Sequence, residues 1–174
     1  VACDIRQNGQ NQLDLAVAFS QLPCSAAGVF TRNDLKAAPV RLDQEYLQSN
    51  EVFHGFIANS GNANAATGET GMTDARQMGA HGARLCHVNE GAILVCSTGR
   101  IGRPLPMENI ERGMSEATRN LGSANDHGHR AAQAILTSDT RPKTVTARFN
   151  WEDHEITLAG MAKGAGMIQP DMAT

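Results

Sequence analysis

The chain has 174 residues, fifteen Lys plus Arg against eighteen Asp plus Glu, a formal charge of −3 and a hydrophobic share of 41%. That hydrophobic share is too high, and the charge too small, for a disordered polyelectrolyte, and no apolar run approaches the roughly 18–20 residues of a membrane span. The weakly acidic balance, with only five Phe, one Trp and one Tyr, argues against a phosphate backbone or stacked bases as partner, so one globular domain with its own core is expected.

In chain order, residues 13–19 are rich in Leu, Ala and Val, and Gly28-Val29-Phe30-Thr31 follows after Pro23. Together they predict a strand pair with a loop between. Residues 53–58 read as a further strand running into the turn Asn59-Ser60-Gly61-Asn62-Ala63-Asn64. Thr73 is expected to cap a helix reaching about His87, with Ala75, Met78, Ala83 and Leu85 on its apolar side. The continuous apolar run of residues 91–96 predicts a strand buried on both faces, ending in Ser97-Thr98-Gly99-Arg100-Ile101-Gly102.

Pro106 opens the clearest helix. Ile110, Met114, Ala117 and Leu121 recur at helical spacing, and Gly122 stops it. Residues 131–136 make a second helix, closed by Thr137-Ser138-Asp139-Thr140 and Pro142. Val145, Ala147, Phe149 and Trp151 alternate strictly, which predicts a half-buried strand, a turn near Asp153 and a return strand through Ile156 and Leu158. Mixed strands and helices with buried strands favour a layered α/β domain. No cationic segment followed by an apolar stretch opens the chain, so no signal peptide is expected.

Cys3, Cys24, Cys86 and Cys96 form no C-x-x-C pair and fit no zinc module; their apolar neighbours predict reduced, mostly buried thiols. His127-Gly128-His129 beside Asp126 is the one histidine cluster, and it reads as a solvated helix start, since no further ligands fall at helical spacing. Chemistry is expected on the polar turns instead. A tight turn such as Thr98-Gly99 can aim a hydroxyl and a backbone N–H at one point, as an oxyanion site requires. A phosphate cradle is the weaker reading there, because neither glycine-rich phosphate motif is present. Lys163, in Lys163-Gly164-Ala165-Gly166, sets one cation among glycines, where it holds a carboxylate or is simply solvated. Thr174 becomes a nucleophile only if the Ala173–Thr174 bond is cut, since a freed α-amine then supplies the base that a threonine hydroxyl needs.

Six stretches taken together resemble the ornithine acetyltransferase (glutamate N-acetyltransferase) family of arginine biosynthesis. They are Ala27-Gly28-Val29-Phe30-Thr31, Lys36-Ala37-Ala38-Pro39-Val40, Asn59 through Ala65, Ser97-Thr98-Gly99, Thr137 through Lys143, and the terminal run from Lys163 to Met172-Ala173-Thr174. The resemblance implies an α/β layered sandwich of the ornithine acetyltransferase/DmpA type, in which residues 1–174 are the single α-chain domain of a self-cleaving precursor. It implies a scissile bond at Ala173–Thr174, Thr174 as nucleophile, Thr98 and Gly99 as the oxyanion hole, and Thr137 and Lys163, with Thr174, as substrate-binding positions. It further implies a β chain from the same precursor in a heterotetramer or higher assembly, and a cytoplasmic location. The substrates would be N-acetylornithine and glutamate, with no cofactor or metal, no nucleic acid and no membrane; whether acetyl-CoA also serves as a donor stays open. Ala165, Asp171, Ala66 and Arg100 depart from the usual pattern and leave the acyl acceptor open. Alternatives are a related acetyltransferase of another pathway, an N-terminal-nucleophile amidohydrolase or aminopeptidase that passes the acyl group to water, and a subunit without chemistry of its own.

Overall fold

The structure is a computed structural model and describes residues 1–164. Strands and helices alternate as far as α3, after which a second helix and two strands follow: β1 (Leu15–Cys24), α1 (Ala38–Ser49), β2 (Phe53–Asn62), α2 (Gly68–Leu85), β3 (Ile93–Arg100), α3 (Met107–Arg119), α4 (Asn125–Ala134), β4 (Lys143–Trp151) and β5 (His154–Ala162). The expected α/β class is what the chain forms.

β1, β2 and β3 make one sheet in that order, β1 antiparallel to β2 and β2 parallel to β3. The parallel pair needs a crossover, and α2 supplies it. Register decides which residues share a face. Leu15, Ile57, Ile93 and Val95 fall on one side, where they are buried against Leu42 of α1, Met72 and Met78 of α2, and Ile110 and Met114 of α3. Ala18, Phe56, Leu94 and Cys96 fall on the other side and are half-buried or exposed. β3 is therefore buried on one face rather than two, because among the described residues α1–α3 cover only one face. Cys3 alone of the thiols is buried; Cys24 and Cys96 are exposed and Cys86 lies between, and along β3 the apolar Val95 faces the core while Cys96 takes the opposite face.

Residues 28–31 do not form a strand. β1 runs on through Pro23 to Cys24 and takes β2 as its partner, leaving residues 25–33 outside regular structure with Val29 86% exposed. α1 is a helix that the sequence reading missed, although Pro39 at its first turn and buried Leu42 and half-buried Tyr46 at helical spacing mark it. α2 begins before Thr73, at Gly68, because Thr67 and Asn64 already form the turn that opens it. The Thr67 hydroxyl donates to Asn64 Oδ1 (2.8 Å), and Thr73 bonds back to the Glu69 carbonyl from inside the helix. α4 likewise starts earlier than expected, at Asn125, so Asp126 and His127 occupy its first turn as the helix-start reading required. α3 ends at Arg119, one turn short of Gly122, and leaves Leu121 partly exposed.

β4 and β5 form a separate antiparallel hairpin, with Trp151 opposite His154 and Glu152 at φ 52° in the turn. The alternation is as expected, but the strand is not half-buried. All residues of both strands are exposed, Trp151 and Leu158 by about two-thirds, because no described helix packs on them.

Candidate active site where the sheet meets the hairpin

β2 and β3 end together, and β2 runs on through Asn62, so most of the stretch expected as a turn is strand and carries buried polar side chains. Asn59, Ser60, Asn62 and Asn64 are each at most 4% exposed. Buried amides need partners, and each has them. Asn59 Nδ2 donates to the Asn62 carbonyl (2.9 Å), and its Oδ1 accepts from the Ser97 hydroxyl (2.6 Å). Asn62 Nδ2 donates to the Pro104 carbonyl (2.8 Å) and its Oδ1 accepts from Asn64 N–H (2.9 Å). Asn64 Nδ2 reaches the Gly71 carbonyl in α2 (2.8 Å). This network ties the ends of β2 and β3 to α2 and to the segment before α3, and so fixes Thr98 and Gly99, which lie within β3 and not in the expected turn.

Gly99 sits opposite Gly61 in the ladder, with φ 137° and 107° respectively. A side chain at Gly99 would run into the Gly61 backbone and the Asn62 nitrogen. Glycine is required there by both backbone angle and space. One residue earlier, half-buried Thr98 pairs with Ser60.

The chain then brings back a cation. Lys163 follows β5 directly, and its Nζ donates to Thr98 Oγ1 (2.9 Å) and to Thr137 Oγ1 (2.7 Å). An ammonium only donates. Both hydroxyl oxygens therefore accept from Lys163, and both hydroxyl hydrogens are free to point at a third group. Burial lowers the Lys163 pKa most; Arg6 and Lys143 lower it further, while Asp139 opposes them.

Asp139 joins the three approaching segments. Its Oδ1 accepts from Gly164 N–H (2.7 Å) and Lys143 Nζ (2.6 Å), and its Oδ2 from Thr137 N–H (3.3 Å). These donors surround a side chain that is fully buried. They hold its carboxyl well below the usual range, the Lys143 hydrogen bond contributing most.

Four expected positions thus meet at one place: Thr98, Gly99, Thr137 and Lys163. Ala173 and Thr174 lie outside the described residues. Asp139, Arg6 and Ser60 belong to the same cluster but were not singled out beforehand as site residues. Asp139 was within reach, since an Asp two residues after Thr137 is a local acceptor for a turn N–H. No local pattern marked Arg6, which comes from 130 residues away in sequence to bond Leu136. Among the described residues no group of three His, Cys, Asp or Glu could hold a metal ion.

A family model described as the ArgJ family matches residues 1–174. An arginine biosynthesis bifunctional protein ArgJ from Caldanaerobacter subterraneus subsp. tengcongensis is 46% identical over 165 residues, covering 95% of this chain and 40% of that protein. Its counterpart from Thermotoga neapolitana is 45% identical over 175 residues, covering 100% and 43%. The chain spans about two-fifths of the length of the curated relatives it matches. Among solved structures, an ornithine acetyltransferase from Mycobacterium tuberculosis complexed with ornithine superposes with a TM-score of 0.90 at 38% identity, covering 98% of this chain and 89% of that one. The arginine biosynthesis bifunctional protein ArgJ from Bacillus halodurans gives 0.84 at 37% identity, covering 91% and 82%.

Proposed function

This chain belongs to the ArgJ family, and from that premise we propose that it is the α-chain part of an acetyltransferase moving an acetyl group from N-acetylornithine to glutamate. The observation that carries the reading is Lys163 Nζ bridging the Thr98 and Thr137 hydroxyls. An ammonium behind two hydroxyls makes each a stronger donor toward charge that develops in front of it.

In this reading the Thr174 hydroxyl attacks the Ala173 carbonyl, the peptide C–N bond breaks, and the resulting ester is hydrolysed by water. The freed α-amine of Thr174 then takes the proton of its own hydroxyl as the oxygen attacks the acetyl carbonyl of N-acetylornithine. The Thr98 hydroxyl and Gly99 N–H donate to the tetrahedral oxyanion. The amine returns the proton to the ornithine nitrogen as the C–N bond breaks. Glutamate's amine attacks the acetyl-threonine ester, the steps reverse, and N-acetylglutamate leaves. Thr137 and Lys163 hold substrate. The acetyl group travels as an ester, so no cofactor or metal is required; acetyl-CoA would enter, if at all, as a second donor substrate.

The same proposal assigns a partner. The half-open face of the β1–β3 sheet and the exposed Val145, Phe149, Trp151 and Leu158 of the hairpin are the surfaces on which a β chain from the same precursor would pack, in a heterotetramer or higher assembly. We place the assembly in the cytoplasm; no helix among the described residues is long and apolar enough to cross a membrane.

The test uses the full-length precursor. Mass spectrometry should find two chains divided before Thr174, with acetyl transfer that depends on glutamate. Thr174→Ala should leave one uncleaved, inactive chain. A cleaved and active Thr174→Ala protein would overturn the proposal, and acetate release independent of glutamate would replace transfer with hydrolysis.

A further inference from the structure

Arg6 precedes β1, in a segment that is firmly held. The buried Asp14 carboxylate accepts from Cys3 N–H (2.8 Å) and Ile5 N–H (2.7 Å). Asn109 of α3 donates to the Asp4 carbonyl (3.0 Å), and Cys3 and Ile5 are themselves buried in the core. Arg6 is thus delivered to one place by groups on both sides of it.

That place is the back of the site. The Arg6 stem crosses Gly61, where a side chain would collide with Arg6 Cγ. Beyond it, Nη2 donates to the Leu136 carbonyl (2.6 Å) and to the Ser60 hydroxyl (3.3 Å). Leu136 immediately precedes Thr137, and Ser60 is the ladder partner of Thr98. One guanidinium therefore joins the two backbone segments that carry the two hydroxyls bridged by Lys163. A charge-assisted bond to a carbonyl is among the stronger single restraints available to a loop, and residues 135–142 lie outside any helix or strand.

We propose that Arg6 is a positioning residue of the transfer site: by tying the Leu136 carbonyl to Ser60 it holds Thr137 at the distance from Thr98 that lets Lys163 bridge both. This rests on the proposed function for the identity of the reaction. Arg6 has a second consequence. The charged groups that act on Lys163 are Asp139, which favours its ammonium, and Arg6 and Lys143, which disfavour it. Loss of the Arg6 charge therefore lets Lys163 keep its proton to higher pH.

The experiment compares Arg6→Met and Arg6→Lys in the cleaved full-length enzyme, with N-acetylornithine and glutamate. Four quantities are read: chain masses, thermal midpoint, kcat/KM, and the pH profile of kcat/KM. Arg6→Met is expected to assemble and to lose about 10- to 100-fold in kcat/KM, the size of one charged hydrogen bond. Its alkaline limb should move to higher pH. Arg6→Lys keeps the charge, so its alkaline limb should stay in place and its rate should recover at least in part. If Arg6→Met does not assemble, Arg6→Gln replaces it under the same criteria. Wild-type rates and an unmoved profile in the neutral variant overturn the proposal. So does a folded Arg6→Lys enzyme as impaired as the neutral variant. A wild-type enzyme that transfers no acetyl group overturns the proposed function instead, and that result is read before any variant is compared.

Discussion

The β1–β3 sheet and the β4–β5 hairpin are written in similar sequence patterns and end in opposite states. Both line one strand face with large apolar side chains, yet Leu15, Ile57, Ile93 and Val95 are at most 1% exposed while Val145 and Leu158 are more than 60% exposed. Alternation establishes that a strand has two faces; it does not say what covers them. The sheet carries its own cover in α1–α3, and the hairpin has none among the described residues. The site lies on the boundary, with Thr98 from the sheet, Lys163 from the end of the hairpin, and Thr137 and Asp139 between.

Gly99 tests how tightly the sheet side of that boundary is built. Gly99→Val places a branched side chain at φ 137° against the Gly61 backbone. A cost of about 4 kcal/mol or more is expected, with loss of turnover. Gly102 has a similarly positive φ of 77° but open space around it. Gly102→Ala should cost only roughly 1–2 kcal/mol, the backbone penalty alone. Urea unfolding of both variants reads the difference, and equal losses would show that close strand approach is not what Gly99 serves.

Thr98→Ala removes the hydroxyl that faces the reacting carbonyl in the proposed mechanism and leaves the fold intact. Turnover of the full-length enzyme should fall about 10²- to 10³-fold, as for loss of one oxyanion donor, with Thr98→Ser restoring most of it. A threefold loss or less would remove Thr98 from the oxyanion hole while leaving the fold account untouched.

The contrast between the two regions is sharpest in core truncations. Met114→Ala opens a cavity beneath the sheet and should cost about 2–5 kcal/mol. Leu158→Ala in this 174-residue chain should cost less than about 0.5 kcal/mol, because the side chain is already in water. In the cleaved full-length assembly the same Leu158→Ala should cost about 2 kcal/mol or more if a β chain covers it. Identical small effects in both contexts would mean that the partner packs elsewhere.

How much could be read in advance follows the same division. Strands β2 to β5 and helix α3 were legible because their apolar spacing is local. Residues 28–31 misled because a short apolar run says nothing about which edge is available for pairing, and β2, a later segment, had taken β1. The meeting of Thr98, Gly99, Thr137 and Lys163 was anticipated through motif resemblance, whereas their geometry was not. It depends on long-range bonds, from Lys163 to Thr98 and from Arg6 to Leu136, that leave no periodic trace.

The sheet region also buries two carboxylates, Asp14 and Asp43, where the hairpin buries none. Asp43 of α1 is 7% exposed, and its Oδ1 accepts from Val95 N–H in β3 (3.0 Å), which gives the outer edge of that strand a partner. Burial pushes its carboxyl up to about 6, and the Val95 hydrogen bond only partly opposes this. An unfolded Asp titrates near about 3.9. The folded protein therefore holds this proton more tightly than the unfolded chain, so its contribution is present in full below about pH 4 and is lost as pH rises through about 6. Asp43→Asn keeps an oxygen for Val95 and cannot ionise. Relative to this variant, the wild-type chain should lose on the order of 1–3 kcal/mol between pH 4.5 and pH 7.5. Urea midpoints at the two pH values measure it. A variant that is less stable than wild type at pH 7.5 would show that the charged form earns its place, through a stronger bond to Val95 than burial costs it.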